Sequence, residues 1–181
     1  MSRAYFKLQE LDARFGLLKP KQSILELGAA PGGWVRYIED KLSGQGSLYI
    51  AVDPSPVKSS GLAKVIRGKS SEPRVAQEIE EILDSRKLDL VLSDMAPKIS
   101  GVRIVDDSAS RELADEALNT ASRYLGPGGV MVSKLFQGIE AQSFVEELKN
   151  CFLKTVIFKP EASRSESREV FVVANGFRSK L

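Results

Sequence analysis

Four charged residues stand where an apolar core would not choose them. Asp94 closes the run "LVLSD", Lys134 interrupts "VMVSKLF", Glu169 opens "EVFVV", and Lys7 lies in the amino-terminal segment "AYFKL". Buried charge is costly unless it is paired. Two lysines and two carboxylates could form one compensated cluster. Each alone could equally be a strand-end residue reaching solvent, or half of a structural ion pair. Together they suit the removal of a proton from a poor acid. A lysine with its ordinary pKa of about 10.4 is protonated at neutral pH and is no base. A second cation, partial burial or a cationic cofactor would each lower that value. A carboxylate would raise it, and is better suited to orienting the amine.

A second set of residues could hold a cofactor. "LELGAAPGGW" ends a short apolar run and opens a helical one, and glycines there let a ligand approach the backbone. The spacing Gly28-x-x-x-Gly32-Gly33, with Ala30 at the intervening position, is not the dinucleotide G-x-G-x-x-G. No Gly-Lys-Ser/Thr follows, so it is not a P-loop either. Asp53 ends the next apolar run and could accept hydrogen bonds from a ribose diol. This set points to a nucleoside-containing cofactor, or simply to a tight turn from strand to helix.

Two scarcities narrow the chemistry. The chain has no histidine and a single cysteine, Cys151. A structural zinc site and histidine-based triads are therefore excluded, and no metal is expected. A base acting near neutral pH must be a carboxylate, a lysine or a tyrosine. The 181 residues, 43% hydrophobic and 28% charged, suit one domain spanning 1–181, with residues 1–21 as a lead-in carrying Lys7. No apolar run reaches the roughly 18 residues needed to cross a bilayer, and "MSRAYFKLQE" lacks a signal-peptide core. A cytoplasmic location, no membrane partner and a monomer are expected. The net charge of +2 is unevenly spread. Arg3, Lys7, Arg14, Lys19 and Lys21 outnumber Glu10 and Asp12, and basic residues again exceed acidic ones beyond residue 154. If both ends fold onto one face, that face could hold a polyanion; the plainer account is solvated termini.

The elements that must position these residues alternate. Residues 1–15 read as a helix. Apolar runs at 23–28, 47–53, 62–68, 88–94, 130–136, 154–159 and 168–174 read as strands. Helical spacing recurs at 33–42, at 72–83 with Pro73 in its first turn, at 108–125 with Ser108 as cap, and at 140–152. "GPGG" at 126–129 reads as a turn. Strands separated by helices imply an α/β fold with a mostly parallel sheet covered on both faces. Only 160–167 separate the last two strands, too few for a helical crossover, so these two should be antiparallel. Ligands in such sheets bind at the carboxyl ends of the strands, where Gly28, Asp53, Asp94 and Lys134 fall.

Five ordered blocks, "SRAYFKLQELD", "LGAAPGGW", "LSDMAPKISG", "SKLFQG" and "KPEASRSESREVFVVANG", span nearly the whole chain. They resemble the FtsJ/RrmJ family of S-adenosylmethionine-dependent RNA ribose 2′-O-methyltransferases. The resemblance implies a Rossmann-like methyltransferase fold of seven strands, the last antiparallel. It also implies a catalytic tetrad, with its lysines on Lys7 and Lys134, its aspartate on Asp94 and its glutamate on Glu169. Cofactor contacts would fall on Gly28, Ala29, Pro31, Gly32, Gly33, Trp34, Asp53 and Asp94. One position departs: where the family has Gly-Asp after the third strand, this chain has Gly68-Lys69. A lysine cannot accept a hydrogen bond from an adenine amino group. Either Ser70 or a backbone carbonyl replaces the aspartate, or the cofactor is held less tightly.

The resemblance makes Lys134 the expected base, its pKa depressed by Lys7 and by the sulfonium. The segment before Glu169 would then face RNA, with Lys159, Arg164 and Arg168 on phosphates and Arg3 and Lys19 extending the face. The RNA suggested is a uridine of the large ribosomal subunit, free or in a ribosomal particle. A transfer RNA substrate, or a catalytically silent RNA-binding scaffold, are the alternatives.

Overall fold

A computed structural model describes residues 1–179. Five helices and seven strands follow one another: α1 (Arg3–Phe15), β1 (Ser23–Leu27), α2 (Gly33–Leu42), β2 (Leu48–Asp53), β3 (Ala63–Arg67), α3 (Pro73–Leu83), β4 (Leu88–Ser93), α4 (Arg103–Tyr124), β5 (Leu125–Phe136), α5 (Ile139–Leu148), β6 (Phe152–Phe158) and β7 (Glu169–Phe177). The strands form one sheet in the order β3-β2-β1-β4-β5-β7-β6. β1 to β5 are mutually parallel, and β7 runs antiparallel to both β5 and β6. The short connection between the last two strands thus gives the antiparallel pair its length predicts.

Alternation along the strands divides the core between two faces. Leu25, Leu27, Ile50, Val91 and Met131 point toward α3, α4 and α5, whose buried sides include Ile79, Ala117 and Phe144. Ile24, Tyr49, Leu90, Val132 and Phe171 point toward α1 and α2, against Leu8, Leu11, Trp34 and Ile38. Edge strand β3 is half exposed and carries Lys64 and Arg67, charges that discourage further strand pairing. Glu39 of α2 is buried, yet it receives N–H groups of Ser60, Gly61, Leu62 and Ala63 and the hydroxyls of Ser59 and Ser60. Burial alone would raise its pKa, but these donors outweigh it and hold the carboxyl at about 2. One side chain thereby fixes the lead into β3.

Three boundaries depart from the sequence pattern, each for a local reason. α4 begins at Arg103, so Ser108 lies inside the helix and caps nothing. The N-cap is Val102, with no side-chain cap; instead the Asp106 carboxylate, inside the first turn, accepts the Ser100 and Gly101 N–H groups and the Ser100 hydroxyl and folds the preceding turn onto the helix. Residues 126–129 belong to β5 rather than to a free turn. The register jumps from Leu88↔Leu125 to Leu90↔Val130, so the glycine-rich stretch bulges out of the strand. α5 ends at Leu148, and Cys151 donates its N–H back to Leu148 in the turn that starts β6.

Candidate active site

The four charged residues come together at the carboxyl ends of the central strands. Lys134 lies on β5 opposite Phe171 of β7, and Glu169 lies opposite Phe136, so both side chains are on the face covered by α1. α1 brings Lys7 to the same place. Asp94 follows β4, and its N–H donates to Leu27 of β1 at 3.1 Å, holding the strand end in line. Lys134 Nζ lies 3.1 Å from Asp94 Oδ1 and 3.2 Å from Glu169 Oε2. Lys7 Nζ donates to the other oxygen of Glu169, Oε1. The cluster is therefore a chain, Lys7–Glu169–Lys134–Asp94, with Glu169 between the two ammonium groups. None of these side chains is more than 18% exposed.

Burial pulls the Lys134 pKa down, but the charges of Asp94 and Glu169 outweigh it and leave it raised above 10.5. The expectation that Lys7 depresses Lys134 is thus corrected: Glu169 stands between the cations and, with Asp94, favours the charged form. Glu169 is also desolvated, yet Lys134 and Lys7 hold its pKa below the usual carboxylate range. Asp94 goes the other way, because its burial outweighs the charge of Lys134.

Asp94 belongs to a second feature as well. It lines a cleft of about 680 Å³ with Gly28, Ala30, Asp53, Lys69, Ser70, Met95, Leu113 and Glu116. That volume is ordinary for a cofactor site. Asp53 accepts the N–H of Ala30 through Oδ2 at 3.0 Å and that of Ser55 through Oδ1 at 2.7 Å. It shapes the glycine loop and keeps one lone pair on each oxygen for a ligand hydroxyl. Gly28 turns at φ +75, where a Cβ would meet Met95 of the opposite wall. Pro31, Gly32 and Gly33 line a neighbouring cleft of about 510 Å³ with Ser2 and Lys58. A Cβ on Gly32 would strike the Lys58 carbonyl, and one on Gly33 would strike Ser2 and Ala4, so these glycines let α1 and the β2–β3 connection close on α2. Ala29 and Trp34 are buried, and the Trp34 ring lies 5.6 Å from Phe171. Trp34 Nε1 is buried without a hydrogen-bond partner, and Trp34 does not line either cleft. Spare carboxylate lone pairs and two acidic side chains, Asp53 and Asp94, in one cleft fit a cationic nucleoside.

Of the residues considered for RNA, Arg3, Lys19, Lys159 and Arg164 are exposed and Arg168 is half-buried. Lys159 donates to the Ser167 carbonyl at 2.5 Å. Arg168 Nη1 lies 2.6 Å from Asp107 of α4, with its guanidinium over the Phe136 ring, so it braces the start of β7. Sequence reasoning missed two glutamates. Glu10 accepts the N–H groups of Glu161 at 2.6 Å and Ala162 at 2.9 Å, fixing the β6–β7 segment to α1. Its only signal is its place one helical turn after Lys7. Glu26 is buried within β1 and bonded by the Tyr49 hydroxyl. Among the described residues, no helix is long and apolar enough to cross a membrane, and no group of histidine, cysteine and carboxylate side chains could hold a metal ion.

Known proteins bear on this geometry. The FtsJ-like methyltransferase profile matches residues 1–177. Ribosomal RNA large subunit methyltransferase E of Chromohalobacter salexigens is 42% identical over 97% of this chain and 83% of its own length. The protein of that name from Legionella pneumophila strain Corby is 40% identical over 97% and 85%. The crystal structure of a ribosomal RNA methyltransferase from Plasmodium falciparum superposes with a TM-score of 0.89 at 28% identity, covering 97% of both chains.

Proposed function

The chain belongs to the FtsJ-like methyltransferase family, and on that premise we propose that it transfers a methyl group from S-adenosylmethionine to a ribose 2′-hydroxyl of large-subunit ribosomal RNA, at a uridine. The observation that carries this reading is Asp94, which both touches Lys134 and lines the cleft, joining a proton-handling cluster to a nucleoside-sized site. The names of the relatives support ribosomal RNA as the substrate class.

S-adenosylmethionine supplies, when bound, a methyl group already activated by its sulfonium charge. Gly28, Ala30 and Asp53 would hold the nucleoside and Asp94 the cationic end. Lys134 takes the proton of the 2′-hydroxyl, leaving the oxygen electron pair free to bond to carbon. To do so Lys134 must first be neutral, and two carboxylates oppose that. Balancing the Asp94 charge with any cation in the cleft removes one of them and lowers the Lys134 pKa. Glu169 and Lys7 then fix the amine and the hydroxyl in line, which supplies much of the rate. Arg3, Lys19, Lys159 and Arg164 would meet RNA phosphates, with Arg168 shaping the segment that carries them.

Transfer of a labelled methyl group to large ribosomal subunits from cells lacking the gene tests this. Wild-type protein is expected to methylate one 2′-hydroxyl of the large-subunit RNA and not free transfer RNA. Lys134→Ala should lower the rate by about 10³-fold or more, the scale of a lost general base. Calorimetric binding of S-adenosylmethionine to that variant should be no more than about twofold weaker than wild type, because Lys134 meets the cleft only through Asp94 and its loss leaves that anion free for the sulfonium. Wild-type turnover by Lys134→Ala would end the reading.

A further inference from the structure

The cleft crosses the carboxyl ends of the strands in the order of the sheet. Asp94 after β4 is at one end, Gly28 after β1 and Asp53 at the end of β2 come next, and Gly68 to Ser71 after β3 lie at the other end. A nucleoside cofactor whose reacting atom meets Asp94 and whose ribose meets Asp53 must place its base beyond Asp53, at the β3 end. The walls of the cleft also include Met95 and Leu113, apolar surfaces suited to the faces of a flat ring.

The polar groups at that end are unusual. Lys69 presents only donors. Ser70 Oγ donates to Glu116 Oε1, a contact between the β3–α3 turn and α4. Both residues line the cleft. The hydroxyl proton of Ser70 is thus committed to the carboxylate, and Glu116 Oε2 is left as a charged acceptor. A carboxylate accepts only, so it fits a base edge that donates, and disfavours one that presents a carbonyl in the same position.

We infer that Glu116, held by Ser70, reads the exocyclic amino group of the cofactor's adenine and makes this cleft selective for adenine over its deaminated form. This rests on the methyl-donor reading above and adds a specificity residue on α4 to it. A charged acceptor whose partner is replaced by a carbonyl loses a hydrogen bond and gains a repulsion. The preference should therefore be at least about tenfold to a hundredfold, the range for hydrogen bonds to charged groups.

The test is calorimetric binding of S-adenosylhomocysteine and S-inosylhomocysteine, so it does not depend on turnover. Wild-type protein should bind the adenine compound more tightly by that factor. In Glu116→Gln, whose carboxamide can both donate and accept, the ratio should fall to within about threefold of unity. Lys69→Ala should keep the wild-type ratio, and thermal melting should show both variants folded. An unchanged ratio in Glu116→Gln, or a ratio lost in Lys69→Ala alone, overturns the proposal. If wild-type protein binds neither compound, the cofactor reading fails and this proposal with it. If it binds both equally, only the assignment of Glu116 fails.

Discussion

Glu169 gives one oxygen to each of two lysines, and on the proposed role of Lys134 as base that single carboxylate decides how it can work. A free amine is needed for proton removal, and the Lys134 pKa is raised. The rate of the chemical step should therefore climb with pH until pH passes the Lys134 pKa in the loaded enzyme. Glu169→Gln removes an anion from beside Lys134 and leaves the Lys7 charge unbalanced nearby. Both changes lower the Lys134 pKa. Single-turnover pH–rate profiles should show the rising limb of this variant displaced to lower pH by roughly one unit, with a lower plateau from lost positioning. An unmoved limb would mean that Glu169 does not hold the proton on Lys134. The four clustered residues were legible in the sequence because charges beside apolar runs stand out. Glu39 was not: it falls on the apolar stripe of α2, and its donors come from a loop some twenty residues away. The order of charges was also illegible, since only the fold puts Glu169 between the lysines.

α1 carries Lys7 and Glu10 one turn apart; Lys7 reaches Glu169 at the start of β7, and Glu10 reaches the segment that joins β6 to β7. That helix therefore fixes one charge of the four-residue cluster and the adjoining loop together. Within the loop, Ser163 donates its N–H to Pro160 at 3.1 Å and its hydroxyl to Glu169 at 3.4 Å, so the loop's position is transmitted to the cluster. Glu10→Ala should free the loop while leaving the cofactor cleft intact. The expected result is a rise of about tenfold in KM for RNA, comparable to one lost net hydrogen bond. The dissociation constant for S-adenosylmethionine should not change. Equal losses in both would assign Glu10 to general stability instead. Element types were legible from periodicity and the antiparallel end from a short connection. Element ends were not. The start of α4 depends on Asp106 reaching back to Ser100, and the stretch at 126–129 reads as a turn until its pairing with β4 is known.

Across the whole molecule, one sheet separates two apolar layers, and Glu26 lies in its middle. Burial raises its pKa to about 8, outweighing the Tyr49 hydrogen bond, and the charges of Asp94 and Asp53 push the same way. Alternating apolar runs made the layers legible, but Glu26 reads there as one polar residue in a strand, and its partner Tyr49 lies on a different strand. The consequence belongs to global stability. Between its ordinary pKa of 4.5 and about 8, the folded protein keeps a proton that the unfolded chain has released. The contribution of this group is therefore full below pH 4.5 and falls as pH rises toward 8. Glu26→Gln keeps an acceptor for Tyr49 and has nothing to titrate. In urea unfolding at pH 5 and at pH 8, the variant should gain on wild type by about 3 kcal/mol from the lower to the higher pH. A stability difference that stays constant over that range would show that Glu26 ionises as an ordinary carboxyl, and that the centre of the sheet holds a charge rather than a proton.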